Sequence, residues 1–221
     1  MRIIKPHVEV EEFDPIKIMK NIEKACRTCY RSENKITEDS YKNLLRNALG
    51  KGHQSVIEHE KISVALVCDV GAYKDLTRHR IASFSIESTR YCAYDKDKFG
   101  NEISLIEPIF SDDEEKMKIW TDTMQKTEDN YLAMRNLGCT PDECRMLLPH
   151  STAARVVMTA NMREWLHIFS LRCSKFTHPS VQQLMIPLLL HFKETMPEIY
   201  EKVEYNENFD KTLYAEIKKM V

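Results

Sequence analysis

Arg78-His79-Arg80 and Ser88-Thr89-Arg90 lie in a stretch, Arg78 to Tyr91, that packs three arginines, one histidine and three serines into fourteen residues. Its one carboxylate is Glu87, so cations and hydrogen-bond donors collect where acids do not offset them. Such a stretch calls for an anion. A guanidinium grips an oxyanion through two hydrogen bonds while a hydroxyl supplies a third, so Ser88 and Arg90 make a phosphate cradle. The competing reading is structural: basic residues at a helix C-terminus answer its dipole, and serines beyond it make a turn. A second polar cluster, His53-Gln54-Ser55-Val56-Ile57-Glu58-His59, invites a metal. The two histidines are six apart, no cysteine joins them and Lys61 stands beside them, so a metal site is not predicted there.

These groups need elements to aim them. Residues 2 to 10 alternate and predict an opening strand; Asp14 with Pro15 caps a helix running to about Arg31. A second helix begins at Thr37 to Ser40 and ends near Gly50 to Gly52, and Ile62 to Val70 is an apolar strand. Gly71 to Ala82 reads as a helix, on which Arg78, His79 and Arg80 would fan out about 100° apart and so serve an extended ligand, two ligands or a subunit boundary. Beyond Ala82 an extended path would set Ser88 and Arg90 on one face. A short strand follows within 101–110, then a helix opened by Ser111 to Glu114 and stopped by Gly138, with Met117, Trp120, Met124, Tyr131 and Met134 as its packing face. Thr140 to Glu143 caps a short helix carrying Arg145, which Pro149 ends. Ser151 to Ala160 is a buried strand, and Asn161 to Glu164 forms a capping box for a helix through Arg172. On it Arg163 and His167 share a face while Arg172 points elsewhere. Helices from Pro179 to Pro197 and from Asp210 onward close the chain, and one α/β domain over residues 1–221 is the economical reading.

Composition narrows the possibilities. A formal net charge of -2 excludes a broadly basic nucleic-acid coat, so any anion site is local. With 5 glycines there is no dinucleotide-type phosphate loop. The longest apolar runs, such as Ile186 to Leu190, are too short to cross a bilayer. Seven cysteines, an odd number spread through core segments, predict a reducing cytoplasmic setting, and Cys26 and Cys29 are read as helix cysteines with no redox or metal role.

Arg78-His79-Arg80, seven residues, then Ser88 and Arg90-Tyr91, resembles the signature of the flavin-dependent thymidylate synthases. Two more elements agree in order and spacing: Arg145 to Pro149, similar to the family's Ala-Arg-x-x-Leu-Pro, and Asn161, Arg163, His167 and Leu171-Arg172. The resemblance implies a central mixed or antiparallel sheet flanked by helices, assembled as a homotetramer with sites where subunits meet. It implies FAD, reduced by NADPH, and methylenetetrahydrofolate as carbon donor for methylation of dUMP. By the same resemblance Arg78, Ser88, Arg90 and Arg145 would hold dUMP. His53, Ser55, Glu58, Arg78, His79, Arg80, Asn161, Arg163 and His167 would hold FAD, and Arg172 would stabilise negative charge developing on the uracil ring. Methylating a pyrimidine without a cofactor would call for an activated cysteine. Cys92 and Cys173 have ordinary buried readings, which leaves the reactive centre to a bound group. The chain departs from the family pattern at Asp75, Ser85, Ile86, Glu87 and Thr89, around the nucleotide base, so another pyrimidine nucleotide such as dCMP is the second reading. A non-catalytic RNA-binding module is disfavoured, because only Phe84 and Tyr91 offer aromatic platforms among the basic residues.

Overall fold

A computed structural model describes residues 1–90, 94 and 102–220. The central pair is β3 (Lys61–Asp69) against β6 (Ala153–Asn161), antiparallel from Lys61 opposite Asn161 to Asp69 opposite Ala153. Ile62, Val64, Leu66 and Cys68 alternate inward on β3, as do Ala154, Val156, Met158 and Ala160 on β6, the period-two pattern of a sheet covered on one face. β4 (Ser83–Ile86) adds to the free edge of β6, and β2 (His7–Val10) to that of β3. β7 (Glu216–Lys219) runs parallel to β2, which makes the sheet mixed, in the order β4-β6-β3-β2-β7. On the less covered face the pairing is polar: Ser63 and Thr159 share a hydrogen bond of 2.8 Å, and Arg155 donates to Glu9 at 2.6 Å.

Helices pack the other face. α1 (Pro15–Thr28) is capped by Asp14, whose carboxylate accepts from the Lys17 N–H, and lays Ile18, Met19 and Ile22 on the core. α2 (Ser40–Gly50) follows and ends before Gly52, whose φ of 81° suits glycine. α3 (Val70–Leu76) is capped by Asp69. α6 (Met162–Arg172) springs directly from β6 and packs on α7 (Pro179–Thr195), which leads into α8 (Pro197–Tyr200). Trp165, Phe169, Phe192 and Tyr200, all fully buried, form a ring cluster with centroid separations of 5.2 to 5.7 Å along the chain of contacts. A smaller core joins β5 (Ser104–Ile106), paired in parallel with β1 (Arg2–Ile4), to α4 (Glu114–Asn136) and α5 (Pro141–Cys144) through Ile103, Leu105, Met124, Tyr131 and Cys144.

Four expectations change. The opening strand is two strands in different sheets, parted at Lys5-Pro6. The first helix ends at Thr28 rather than about Arg31. The helix expected to reach Ala82 stops at Leu76, because its buried stripe, Ala72 and Leu76, next meets His79 and Arg80; the chain turns instead through Arg78 N–H to Asp75 O, His79 N–H to Leu76 O and Ala82 N–H to His79 O. The segment after Asp210 makes one 3₁₀ turn and then a strand, drawn out by pairing with β2 and by the Ala215 N–H bond to Gln183 O at 2.8 Å. Tyr91, Cys92 and Asn101 lie outside the described residues.

Candidate functional site

The sheet register gathers three distant segments at one end. Lys61 faces Asn161 and Ser83 faces Thr159, so the 3₁₀ segment Gln54–His59, the turn 77–82 and the start of α6 all meet there. Met162 N–H donates to Glu60 O at 3.1 Å, tying the first of these to the third. Between them lies a cleft of about 860 Å³ lined by Gln54, Glu58, Ile81, Asn161, Arg163, Leu166, His167 and Lys202, among others. Arg163 and Glu58 form an ion pair across it.

At the cleft wall, which Glu164 and His167 help to line, sits a chain of polar groups, two of them buried. His79 is 4% exposed and Glu164 5%. Arg172 Nε donates to His79 Nε2 at 3.0 Å, and its Nη2 donates to the Asp75 carbonyl at 2.6 Å. On the other side of the ring, His79 Nδ1 stands 3.3 Å from Glu164 Oε1. His167 meets the His79 ring edge to face at 5.6 Å. Burial first, then the nearby Arg172 and His167 charges, push His79 down to about 4, so the imidazole is neutral at pH 7. Burial raises the Glu164 carboxyl, with His167 pulling the other way. His79, Glu164 and His167 present donor atoms within 4.8 Å of one another, a geometry that a metal could use. The Arg172 guanidinium, however, occupies the Nε2 lone pair of His79 and opposes a further cation, which makes this a hydrogen-bonded relay.

Sequence reasoning took Asn161 to Glu164 as a reciprocal capping box. Half of it forms: Asn161 Oδ1 accepts from the Glu164 N–H at 2.8 Å, while the Glu164 carboxylate turns to His79. The anchor at position 75 is a backbone carbonyl, so aspartate there keeps the Arg172 contact whatever its side chain does.

The expected phosphate residues gather elsewhere. Arg90 Nε and Arg145 Nε both approach Asp142 Oδ1, at 3.2 and 3.1 Å, setting two guanidinium groups side by side on a half-exposed surface. Arg145 belongs to the 3₁₀ turn after α5, which Thr140 and Glu143 cap reciprocally. Ser88 and Arg90 share a turn rather than one face of an extended strand; the Ser88 hydroxyl accepts from the Arg90 N–H at 3.3 Å. From Ser83 to Ile86 the chain runs away from the cleft through roughly 10 Å of strand, and Ser88 and Arg90 follow beyond it. Among the described residues, Arg90 and Arg145 lie outside the lining of the cleft that Arg163 and His167 share. His53 and Ser55 line a separate cleft of about 260 Å³ with Arg27, Tyr30 and Lys51. Arg78 and Arg80 are exposed at the turn. Sequence reasoning missed Asp142 and the contact made by Glu164. Asp142 carried a signal in its i, i+3 spacing to Arg145, whereas the capping pattern concealed Glu164. Next to Arg172, burial drives the Cys173 thiol far above its ordinary range, so it supplies no thiolate.

Fold and site together define a mixed-sheet α/β protein with a cleft lined by charged and apolar side chains at one end of the sheet and a separate pair of arginines around Asp142. Residues 16–198 match the family model for thymidylate synthase complementing protein, and the chain belongs to that family, the flavin-dependent thymidylate synthases. The flavin-dependent thymidylate synthase of Geobacter sulfurreducens is 29% identical over 183 residues, 80% of this chain and 78% of that protein. That of Pyrococcus furiosus is 31% identical over 139 residues, covering 62% and 57%. Among solved structures, the UMP/dUMP methylase PolB of Streptomyces cacaoi bound with 5-Br dUMP superposes with a TM-score of 0.75 at 19% identity, over 91% of this chain and 96% of that one. Thymidylate synthase X of Helicobacter pylori, with FAD and dUMP, gives 0.72 at 19% identity over 90% and 98%, so both share the fold. The residues of the large cleft fit a flavin nucleotide: Arg163, His167 and Lys202 suit phosphates, while Ile81, Leu166 and Val203 give an apolar wall to a planar ring. Among the described residues no helix is long and apolar enough to cross a membrane.

Proposed function

We propose that this chain converts dUMP to dTMP with FAD as cofactor, methylenetetrahydrofolate as carbon donor and NADPH as reductant, acting as one catalytic domain in the cytoplasm. The observation that carries the reading is the convergence of Glu58, Asn161, Arg163, His167 and the His79–Arg172 pair at one end of the sheet, in a chain of this family. Arg163, His167, Asn161 and Glu58 hold the flavin nucleotide, with His79 and Arg80 at the turn after α3 and His53 and Ser55 at the start of the 3₁₀ segment. A flavin held there would supply the redox chemistry that the methylation needs. Ser88, Arg90 and Arg145, with Arg78, bind the dUMP phosphate. Asp142 holds two of these guanidinium groups together until a dianion takes over. Arg172 faces the uracil ring and stabilises the negative charge that develops on it.

The strand separating the two basic groups supports a homotetramer in which one protomer's phosphate residues complete another's flavin cleft. The test is the visible spectrum of purified protein, followed by tritium release from 5-tritiated dUMP with dCMP and UMP as competitors. Flavin bands bleached by NADPH, and release from dUMP blocked by neither competitor, are expected. Colourless protein that takes up no added flavin and releases no tritium overturns the proposal.

A further inference from the structure

The relay at the cleft wall has a direction that the chemistry of its members fixes. Arginine is a donor only, so the nitrogen of His79 that meets Arg172 Nε, Nε2 at 3.0 Å, must carry a lone pair. A neutral imidazole holds one ring proton, which therefore sits on Nδ1, the nitrogen that stands 3.3 Å from Glu164 Oε1. Both ring nitrogens meet polar partners, so turning the ring over would lose both contacts. Glu164 is itself pinned from its backbone by Asn161 and by its place one turn into α6. Arg172, at the far end of the same helix, is thus oriented from two sides, by the His79 ring and by the Asp75 carbonyl.

We propose that Glu164 is a positioning residue for the reaction: by accepting from His79 Nδ1–H it locks the imidazole tautomer whose Nε2 lone pair aims the Arg172 guanidinium. Glu164 also lines the cleft, and in this scheme its effect on the reaction passes through His79. The neutral state of His79 supports the arrangement, since a protonated ring would present a hydrogen to Arg172 and expel it. Remove the acceptor, and the Arg172 donor alone holds the proton on Nδ1; the Nε2–H form, which repels Arg172, then gains population.

The inference rests on the proposed reaction for its kinetic consequence only. Its tautomer is read in flavin-free protein by ¹⁵N NMR of labelled histidines, with His79→Asn assigning the signal. Wild type is expected to show the Nδ1–H form, and Glu164→Ala a signal moved toward the Nε2–H form. In flavin-loaded enzyme Glu164→Ala is expected to lower kcat for dUMP by 10- to 100-fold with KM for dUMP and flavin occupancy within about twofold. Glu164→Gln, whose amide oxygen still accepts, restores the tautomer and most of kcat. An Nε2–H wild-type ring, an unchanged tautomer in Glu164→Ala, or a Glu164→Gln no better than Glu164→Ala, overturns it. Should Glu164→Ala not fold, the wild-type tautomer and the glutamine variant still decide. Absent turnover in wild type with the Nδ1–H signal intact refutes the reaction and leaves the relay standing.

Discussion

Replacing Arg172 by alanine removes the one cation that the buried relay aims. A guanidinium about 4 Å from a developing anion is worth about 4 kcal/mol at an effective dielectric near 20, and about half that where solvent penetrates. Arg172 is half-buried, between those limits, so the barrier should rise by about 2 to 4 kcal/mol. That is a loss of about 30- to 1,000-fold in kcat. Arg172→Lys keeps the charge but not the planar fork that reaches both His79 Nε2 and the Asp75 carbonyl, so it should fall between wild type and alanine. The fold should survive in both, because what is lost is two hydrogen bonds at the end of a helix, about 1 to 3 kcal/mol. The assay is tritium release from dUMP at saturating folate and NADPH, with flavin absorbance measured on the same samples. A kcat within threefold of wild type at equal flavin content would refute the role given to Arg172.

The remaining predictions concern stability. His79 is held at about 4, below its ordinary value, so between pH 6.5 and 4 the unfolded chain binds the proton that the native state refuses, and stability falls as pH falls through that window, by at most about 3 kcal/mol. Glu164, whose carboxyl is raised, runs the other way: the native state binds its proton more readily, so its contribution diminishes as pH rises through the folded value. His167 and Arg172 complete the charges facing the ring. Urea midpoints of flavin-free protein at pH 7 and pH 5 should therefore drop more in wild type than in His79→Asn, and equal drops would contradict the account. Phe192, fully buried among Trp165, Phe169 and Tyr200, should cost about 3 to 5 kcal/mol on truncation to alanine. Because that ring cluster seats α6, a loss under 1 kcal/mol in urea unfolding would mean that the helix is held by something else.

How far the sequence carried is decided by the range of the forces involved. Asp14, Thr140 and Gly138 act on backbone groups a few residues away, and the elements they bound stand where the sequence put them. β3 and β6 were legible as apolar and β-branched runs, and the structure resolves each into one buried and one less covered face. Glu216 to Lys219 failed because a parallel partner 209 residues away, His7 opposite Glu216, outweighed a weak local preference. Glu164 shows the same competition inside one residue. Its N–H obeys the local cap while its carboxylate answers His79, 85 residues earlier in the chain.

That distinction also explains why the family motif reads as one site in sequence yet divides in space. Arg78-His79-Arg80 and Ser88–Arg90 are neighbours along the chain, but β4 intervenes as a paired strand and carries the second group toward Glu87, whose N–H bonds to Arg155 O at 2.9 Å. Pairing with β6 fixes that strand through the ladder from Ser83–Thr159 to Ile86–Val156, so Ser88 and Arg90 follow from its far end. The spacing of the signature is then in part a measure of strand length, set by the four residues of β4.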